Sequence, residues 1–345
     1  MTSEPPSAPA RDRHAWRARL ETALAALLIG SIASRALFVM HEEWLPLFVA
    51  DAQRVLDGTP YSVAFQNRLL GPLLLEGLHS WTGLEPTGAF VLATYVLMTL
   101  ATGFAYLAIR RTGAPRATAL TAAGLAVGLF VLLQDPRWMK IWDPLDLMFA
   151  GGLAWAAAAG ASTTAFVVLF LTWLPSRESA LYVPVWMALT SVSVRRSPLR
   201  ASLERPRRLV VALLLTVVGM AVTVALREAL IADRTAALHP PMTPWGNHFK
   251  VPRNLQMVAD HVERLHPDVL VLLALGALCY AMWRKRARFT AMTTRLAALL
   301  GVIAASNVVF GAVVETRVWA PWAPLVVLVF FSLAPPADGR PNHWA

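Results

Sequence analysis

The sequence predicts an all-α polytopic membrane helix bundle, and three observations lead there. Apolar runs recur at 88–109, 209–226 and 291–314, each near the roughly twenty residues that span bilayer hydrocarbon. The 345-residue chain is 57% hydrophobic with a mean hydropathy of +0.52, where a soluble chain of this length would form one to three ordinary domains. Its arginines gather in short loops between the runs, the usual signature of cytoplasmic loops. Barrel strands would instead alternate over about ten residues.

Residues 1–19 are rich in Pro, Ser and Arg, which predicts a disordered cytoplasmic N-terminus. Arg11, Arg13, Arg17 and Arg19 precede the apolar run 20–40, which Arg35 interrupts. That run is too long for a signal peptide and reads as an uncleaved first span with its basic flank inside. The basic loops 110–116, 195–208 and 284–290 are expected to be cytoplasmic. A span ending at Arg110 must then begin outside. The apolar stretch 69–81 is too short to cross and reads as a short helix at the outer interface.

Further segments are expected at 117–133, 145–160, 163–174, 180–194, 209–226, 269–283, 291–314 and 318–333. This gives about ten membrane segments in one transmembrane domain over 20–334, with a cytoplasmic tail at 335–345. The outer loops are then 41–87, 134–144, 175–179, 227–268 and 315–317. Within LTWLPSRESALYVPVW (171–186), Pro175 and Pro184 break two short apolar runs. Such breaks are tolerated where a cavity or other helices satisfy the freed backbone. Charges there, Arg177 and Glu178, need a polar cavity or a partner.

This topology, set only by the basic loops, sends every compact cluster of acids and arginines to one face. Glu42 and Glu43 end the first span, where interfacial charge is the plain reading. Asp51 and Asp57 flank an amphipathic helix. Arg68 opens the short apolar helix and can snorkel to headgroups. Asp143 and Asp146 begin a span, where a carboxylate favours the positive end of the helix dipole, and capping explains one of the two. Arg177 and Glu178 pair either with each other or with neighbouring spans. Glu315 and Arg317 form a charged turn. Lys250 and Arg253, in the long outer loop, have the chemistry to hold a phosphate.

Several classes are excluded. The lone Cys279 permits no disulfide and no cysteine metal site within one chain. The net charge of +10 is distributed as topology signals, so nucleic acid is not an expected partner. His239, His248, His261 and His266 share one loop, but their spacing matches no metal box. No cofactor motif is identified; a divalent metal is compatible with the pattern but not indicated by it.

DAQRVLDGTPY (51–61) resembles the first outer-loop pattern of GT-C-type membrane glycosyltransferases, in which an alanine-containing helix ends in Gly-x-Pro-Tyr. FQNRLLGPLL (65–74), SRESALYVP (176–184) and ETRVWAPWAP (315–324) resemble segments of bacterial polytopic proteins near that superfamily. The resemblance implies a bacterial inner-membrane enzyme with a sugar donor carried on a polyprenyl phosphate. It also implies interfacial helices after the first span and a carboxylate base in the first outer loop: Glu42, Glu43 or Asp51. The chain departs from the pattern in one respect. Its acidic pair lies slightly early, with Trp44 and Leu45 nearer the usual place.

The residue types fit that chemistry independently. A carboxylate accepts the acceptor hydroxyl's proton. Arginine forks stabilise a departing phosphate. Two other readings remain open: a transporter or flippase for an anionic or lipid-linked substrate, since broken helices also mark transporters, and a non-catalytic membrane assembly protein. Membrane lipid and a lipid-linked donor are the expected partners.

Overall fold

The computed structural model describes residues 9–57, 68–134, 139–192, 205–230, 251–264, 268–310 and 316–333. Helix is the only extended regular structure among them. The α-helices are α1 (Pro9–His41), α2 (Leu45–Leu56), α3 (Leu70–Thr82), α4 (Pro86–Arg110), α5 (Arg116–Leu132), α6 (Trp142–Ala158), α7 (Thr163–Trp173), α8 (Tyr182–Leu189), α9 (Pro206–Leu230), α10 (Val251–Glu263), α11 (Asp268–Arg284), α12 (Ala291–Phe310) and α13 (Ala323–Ser332).

Four helical stretches among the described residues are long and apolar enough to cross a membrane: 19–56, covering most of α1 with α2, then α4, residues 206–226 of α9, and α12. The sequence predicts about ten segments. The others are present as shorter helices. At 1.5 Å per residue, the 17 residues of α6 reach only about 26 Å, and the 11 of α7 about 16 Å.

Local signals set the boundaries. Pro86 stands at the start of α4, where its missing N–H costs nothing. Ser162 Oγ accepts from Ala165 N at the start of α7, a side-chain cap. Gly160, at φ +62°, ends the turn after α6 in a left-handed conformation open to glycine.

α4 and α6 form the centre, with α1 and α5 packed on α4. Small residues allow close approach, the membrane-helix alternative to a water-driven core. A Cβ on Gly30 of α1 would stand 2.7 Å from the Thr99 Cα of α4, and one on Gly151 of α6 would lie 3.3 Å from the Ala101 carbonyl oxygen. Nearly every residue of α6 is buried. The outer helices are the reverse. On α1, Leu24, Leu27, Leu28 and Ile32 are exposed, and on α9 so are Val210, Leu213, Leu214 and Val217. Bands of that size on long helices fit a lipid solvent and not water.

Several segments differ from expectation. Helix begins at Pro9, inside the stretch expected to be disordered. The expected span 180–194 becomes a 3-10 turn, Glu178–Leu181, and the eight-residue α8. The span 318–333 is broken by two 3-10 turns, Thr316–Val318 and Ala320–Trp322, before α13, in a stretch carrying Pro321 and Pro324. The loop 227–268 contains the end of α9 and the amphipathic α10.

The alternating helices define two ends. At one, α4, α6, α8, α11 and α13 finish and α5, α7, α9 and α12 begin. Arg295 of α12 donates there to the Val192 carbonyl, 3.0 Å away, and Thr293 pairs with Ser332 at 3.0 Å. At the other, α6, α8 and α13 begin. Thr316 Oγ donates there to the Leu133 carbonyl at 2.7 Å, and Trp322 packs on Trp173 and Tyr182.

Candidate functional site

The end where α6 begins carries an interlocked set of buried charges from four chain segments. Asp143 and Asp146 lie one turn apart on α6, so they share a face. Asp143 Oδ2 reaches back to accept from the backbone N–H of Lys140 at 2.8 Å, which ties down the approach to the helix. Its Oδ1 accepts from Arg177 Nη1 at 3.2 Å.

Asp146 has three side-chain donors: Trp173 Nε1 at 2.7 Å, Ser179 Oγ at 2.9 Å and Arg177 Nη1 at 3.1 Å. Both carboxylates are buried. Arg177 sits in the turn after Pro175, between α7 and the 3-10 turn. Burial opposes its charge, but Asp146 and Asp143 outweigh burial and push its pKa above the ordinary value. A single nitrogen, Nη1, serves both carboxylates.

Glu178 turns the other way. Arg68 Nη2 donates to its Oε2 at 3.4 Å, and the Arg68 guanidinium lies 5.5 Å from the centre of the Trp142 ring. Burial draws the Arg68 pKa down to about 10; Glu178 opposes the shift and Arg177 adds to it. The Leu70 N–H donates to the Pro175 carbonyl at 3.0 Å, so the start of α3 is stitched to the charged turn.

The third unit joins Lys140 to Asp51. The two side chains are hydrogen-bonded, each only 2% exposed. Asp51 is placed by the inner face of α2, which also buries Phe48, Ala52 and Val55, a helical spacing. Arg54 Nη1 lies 3.8 Å from Asp51 Oδ1, and the Lys140 ammonium stands 5.1 Å from the Phe48 ring centre.

Six of the sequence candidates therefore meet here: Asp51, Arg68, Asp143, Asp146, Arg177 and Glu178. Arg177 and Glu178 do not pair with each other; each pairs with a different neighbour. Glu42 and Glu43 form an exposed 3-10 turn with Trp44 between α1 and α2. Arg253 is exposed on α10, and Arg317 is half-buried in the turn before α13. Lys250 and Glu315 lie outside the described residues, as do His239, His248 and His266. His261 Nδ1 contacts the Met257 carbonyl at 2.8 Å on its own helix. Among the described residues no group of three His, Cys, Asp or Glu is placed to hold a metal.

Sequence reasoning missed Lys140, Trp173 and Ser179. Lys140 carried a signal, since it is the one cation inside the aromatic run WMKIW. A separate groove lies between α2, α3 and the start of α4, lined by Val49, Gln53, Leu56, Leu75, Glu76 and His79.

Compared with protein-family models, with curated proteins and with solved structures, the chain matches none.

Proposed function

We propose that this protein is a GT-C-like membrane glycosyltransferase that moves a sugar from a lipid-phosphate donor to an acceptor at the outer face of a bacterial inner membrane. One observation carries the reading. Three cations and four carboxylates from α2, the start of α3, the start of α6 and the turn after α7 converge at one end of an otherwise apolar bundle.

The chemistry follows from those residues. Arg177 and Arg68 supply guanidinium groups to the departing phosphate, and Asp143 and Asp146 hold Arg177 in place. The base is a carboxylate of the first outer loop, Glu42, Glu43 or Asp51. Glu42 and Glu43 are open to an arriving acceptor, whereas Asp51 is held by Lys140 and must exchange that partner to take a proton. The basic end faces the cytoplasm in this reading, by the positive-inside rule, and about ten segments enter the membrane to different depths.

The test measures transfer of a labelled sugar from a polyprenyl-phosphate donor in membranes, beside protein abundance. The variants are Glu42→Gln, Glu43→Gln and Asp51→Asn. One of the three is expected to lose a factor of about 10² to 10⁴ in rate at normal abundance. Activity that merely follows abundance in all three would remove the enzyme.

A second reading, a carrier for an anionic or lipid-linked substrate, is favoured by α7 and α8, two short helices joined by a charged turn. It predicts substrate flux across proteoliposomes with no new glycosidic bond.

A further inference from the structure

Arg208, in the first turn of α9, is 6% exposed at the basic end. Its guanidinium stacks 4.7 Å from the centre of the Phe166 ring of α7. Its buried Nε has no hydrogen-bond partner among the described residues. A buried charge without a counter-ion is costly, and two features here make it costlier. The guanidiniums of Arg205 and Arg295 lie close enough to repel it. In addition, Arg205, Arg207 and Arg208 crowd the start of a helix, where the backbone dipole already presents positive charge and favours anions.

The surrounding backbone is well fixed. Arg205 N donates to the Ser191 carbonyl at 3.4 Å, and Arg295 Nη2 donates to the Val192 carbonyl at 3.0 Å. The end of α8 therefore ties the starts of α9 and α12 together around Arg208. Arg208 is thus held between packed helices, with the half-buried Arg295 and the exposed Arg205 around it.

We propose that Arg208, with Arg205 and Arg295 beside it, is a binding site for the phosphate group of an anionic ligand at the basic end of the bundle. Phosphate is the group that suits it. It brings negative charge that no described residue beside Arg208 supplies, several acceptor oxygens for guanidinium donors, and a match to the N-terminus of α9. Two sources present that group at this depth: the headgroup of an anionic lipid and a free phosphate from solution. The site is separate from the charged network and does not depend on the glycosyltransferase reading.

The experiment uses the full-length protein in neutral detergent and follows its thermal unfolding midpoint. It is titrated with dioleoylphosphatidylglycerol, with dioleoylphosphatidylcholine as the zwitterionic reference, and separately with inorganic phosphate. The anionic lipid or inorganic phosphate should raise the midpoint of the wild type. Arg208→Gln should lower the apparent affinity by about tenfold or more, the worth of one hydrogen bond to a charged group. Arg208→Lys, which keeps the charge, should report a similar loss in a protein that folds. Arg111→Gln, an exposed charge removed from the same end, should change the affinity less than about twofold, as expected for a screened surface charge.

A response to the lipid alone identifies a headgroup site; a response to inorganic phosphate identifies a small-anion pocket. Equal losses in the Arg208 and Arg111 variants would mean diffuse attraction and overturn the proposal. Glu204→Gln reads the internal alternative. If that variant unfolds as readily as Arg208→Gln and gains phosphate affinity, Glu204 is the counter-ion and the site does not exist.

Discussion

Where α6 begins, three cations, Arg68, Lys140 and Arg177, meet four carboxylates, Asp51, Asp143, Asp146 and Glu178, largely inside the protein. Where α6 finishes, Arg110, Arg111, Arg116, Arg207, Arg284, Lys285, Arg286 and Arg288 are all exposed, and an ion pair among the described residues there joins Arg116 to Glu21 at 3.9 Å between exposed side chains. The difference follows from the solvent. Water and headgroups screen charges of one sign, so they accumulate at little cost. Burial removes that screening, and each charge then needs an opposite partner with good geometry. Arg208 breaks the rule at its own end, being buried among like charges, and for that reason it invites a ligand.

The comparison breaks outright if both ends face the same compartment. Reporters fused near residues 113, 202 and 286 should read cytoplasmic, and one near residue 245 should read external. An external signal at 202 would overturn the orientation.

The next largest effect is expected at Lys140. Lys140→Ala leaves Asp51 buried without its ammonium partner, which typically destabilises by about 3–5 kcal/mol. Thermal unfolding in detergent should show this, and Lys140→Met with Asp51→Leu should recover most of the loss, because an apolar pair of similar volume needs no counter-charge. No recovery would mean that the pair has a role beyond mutual neutralisation.

Arg177→Lys sharpens the comparison further. One nitrogen of Arg177 meets both carboxylates, a task that an ammonium can take over. The folded abundance should therefore stay near wild type. Sugar transfer should fall by about tenfold or more, because a point charge cannot reproduce the guanidinium fork. Full activity in this variant would leave Arg177 a purely structural ion. The smallest effect belongs to the basic end: Arg110→Gln and Arg111→Gln should each shift stability by no more than about 0.5 kcal/mol in the same unfolding assay.

Much of the helical framework was legible in the sequence because its signals are local. The segment expected at 163–174 is α7 to within a residue, and that at 69–81 is α3 shifted by one. Legibility failed where periodicity was overridden. The polar composition of α10 hid a helix whose apolar face is narrow, and proline-rich 318–333 looked continuous by hydropathy but is broken by its backbone.

In the site, Asp143, Asp146 and Arg177 stood out because charges in apolar runs are rare. Their pairing did not. The sequence left Arg177 and Glu178 to pair either with each other or with neighbouring spans, and only the fold decides: the backbone is extended at Arg177, φ −167° and ψ 154°, and the two side chains take different partners. Lys140 and Asp51 are 89 residues apart, and no periodicity connects residues at that distance.

That separation has a consequence for biosynthesis. Asp51 is made long before Lys140 leaves the ribosome, so the ion pair on the inner face of α2 cannot form until the chain reaches the start of α6. Until then the α2 carboxylate lacks its ammonium partner, and an arrested chain ending at residue 139 should leave α2 more open to protease than one ending at residue 192. The ion pair thus ties the first third of the protein to the second, which the ribosome delivers later.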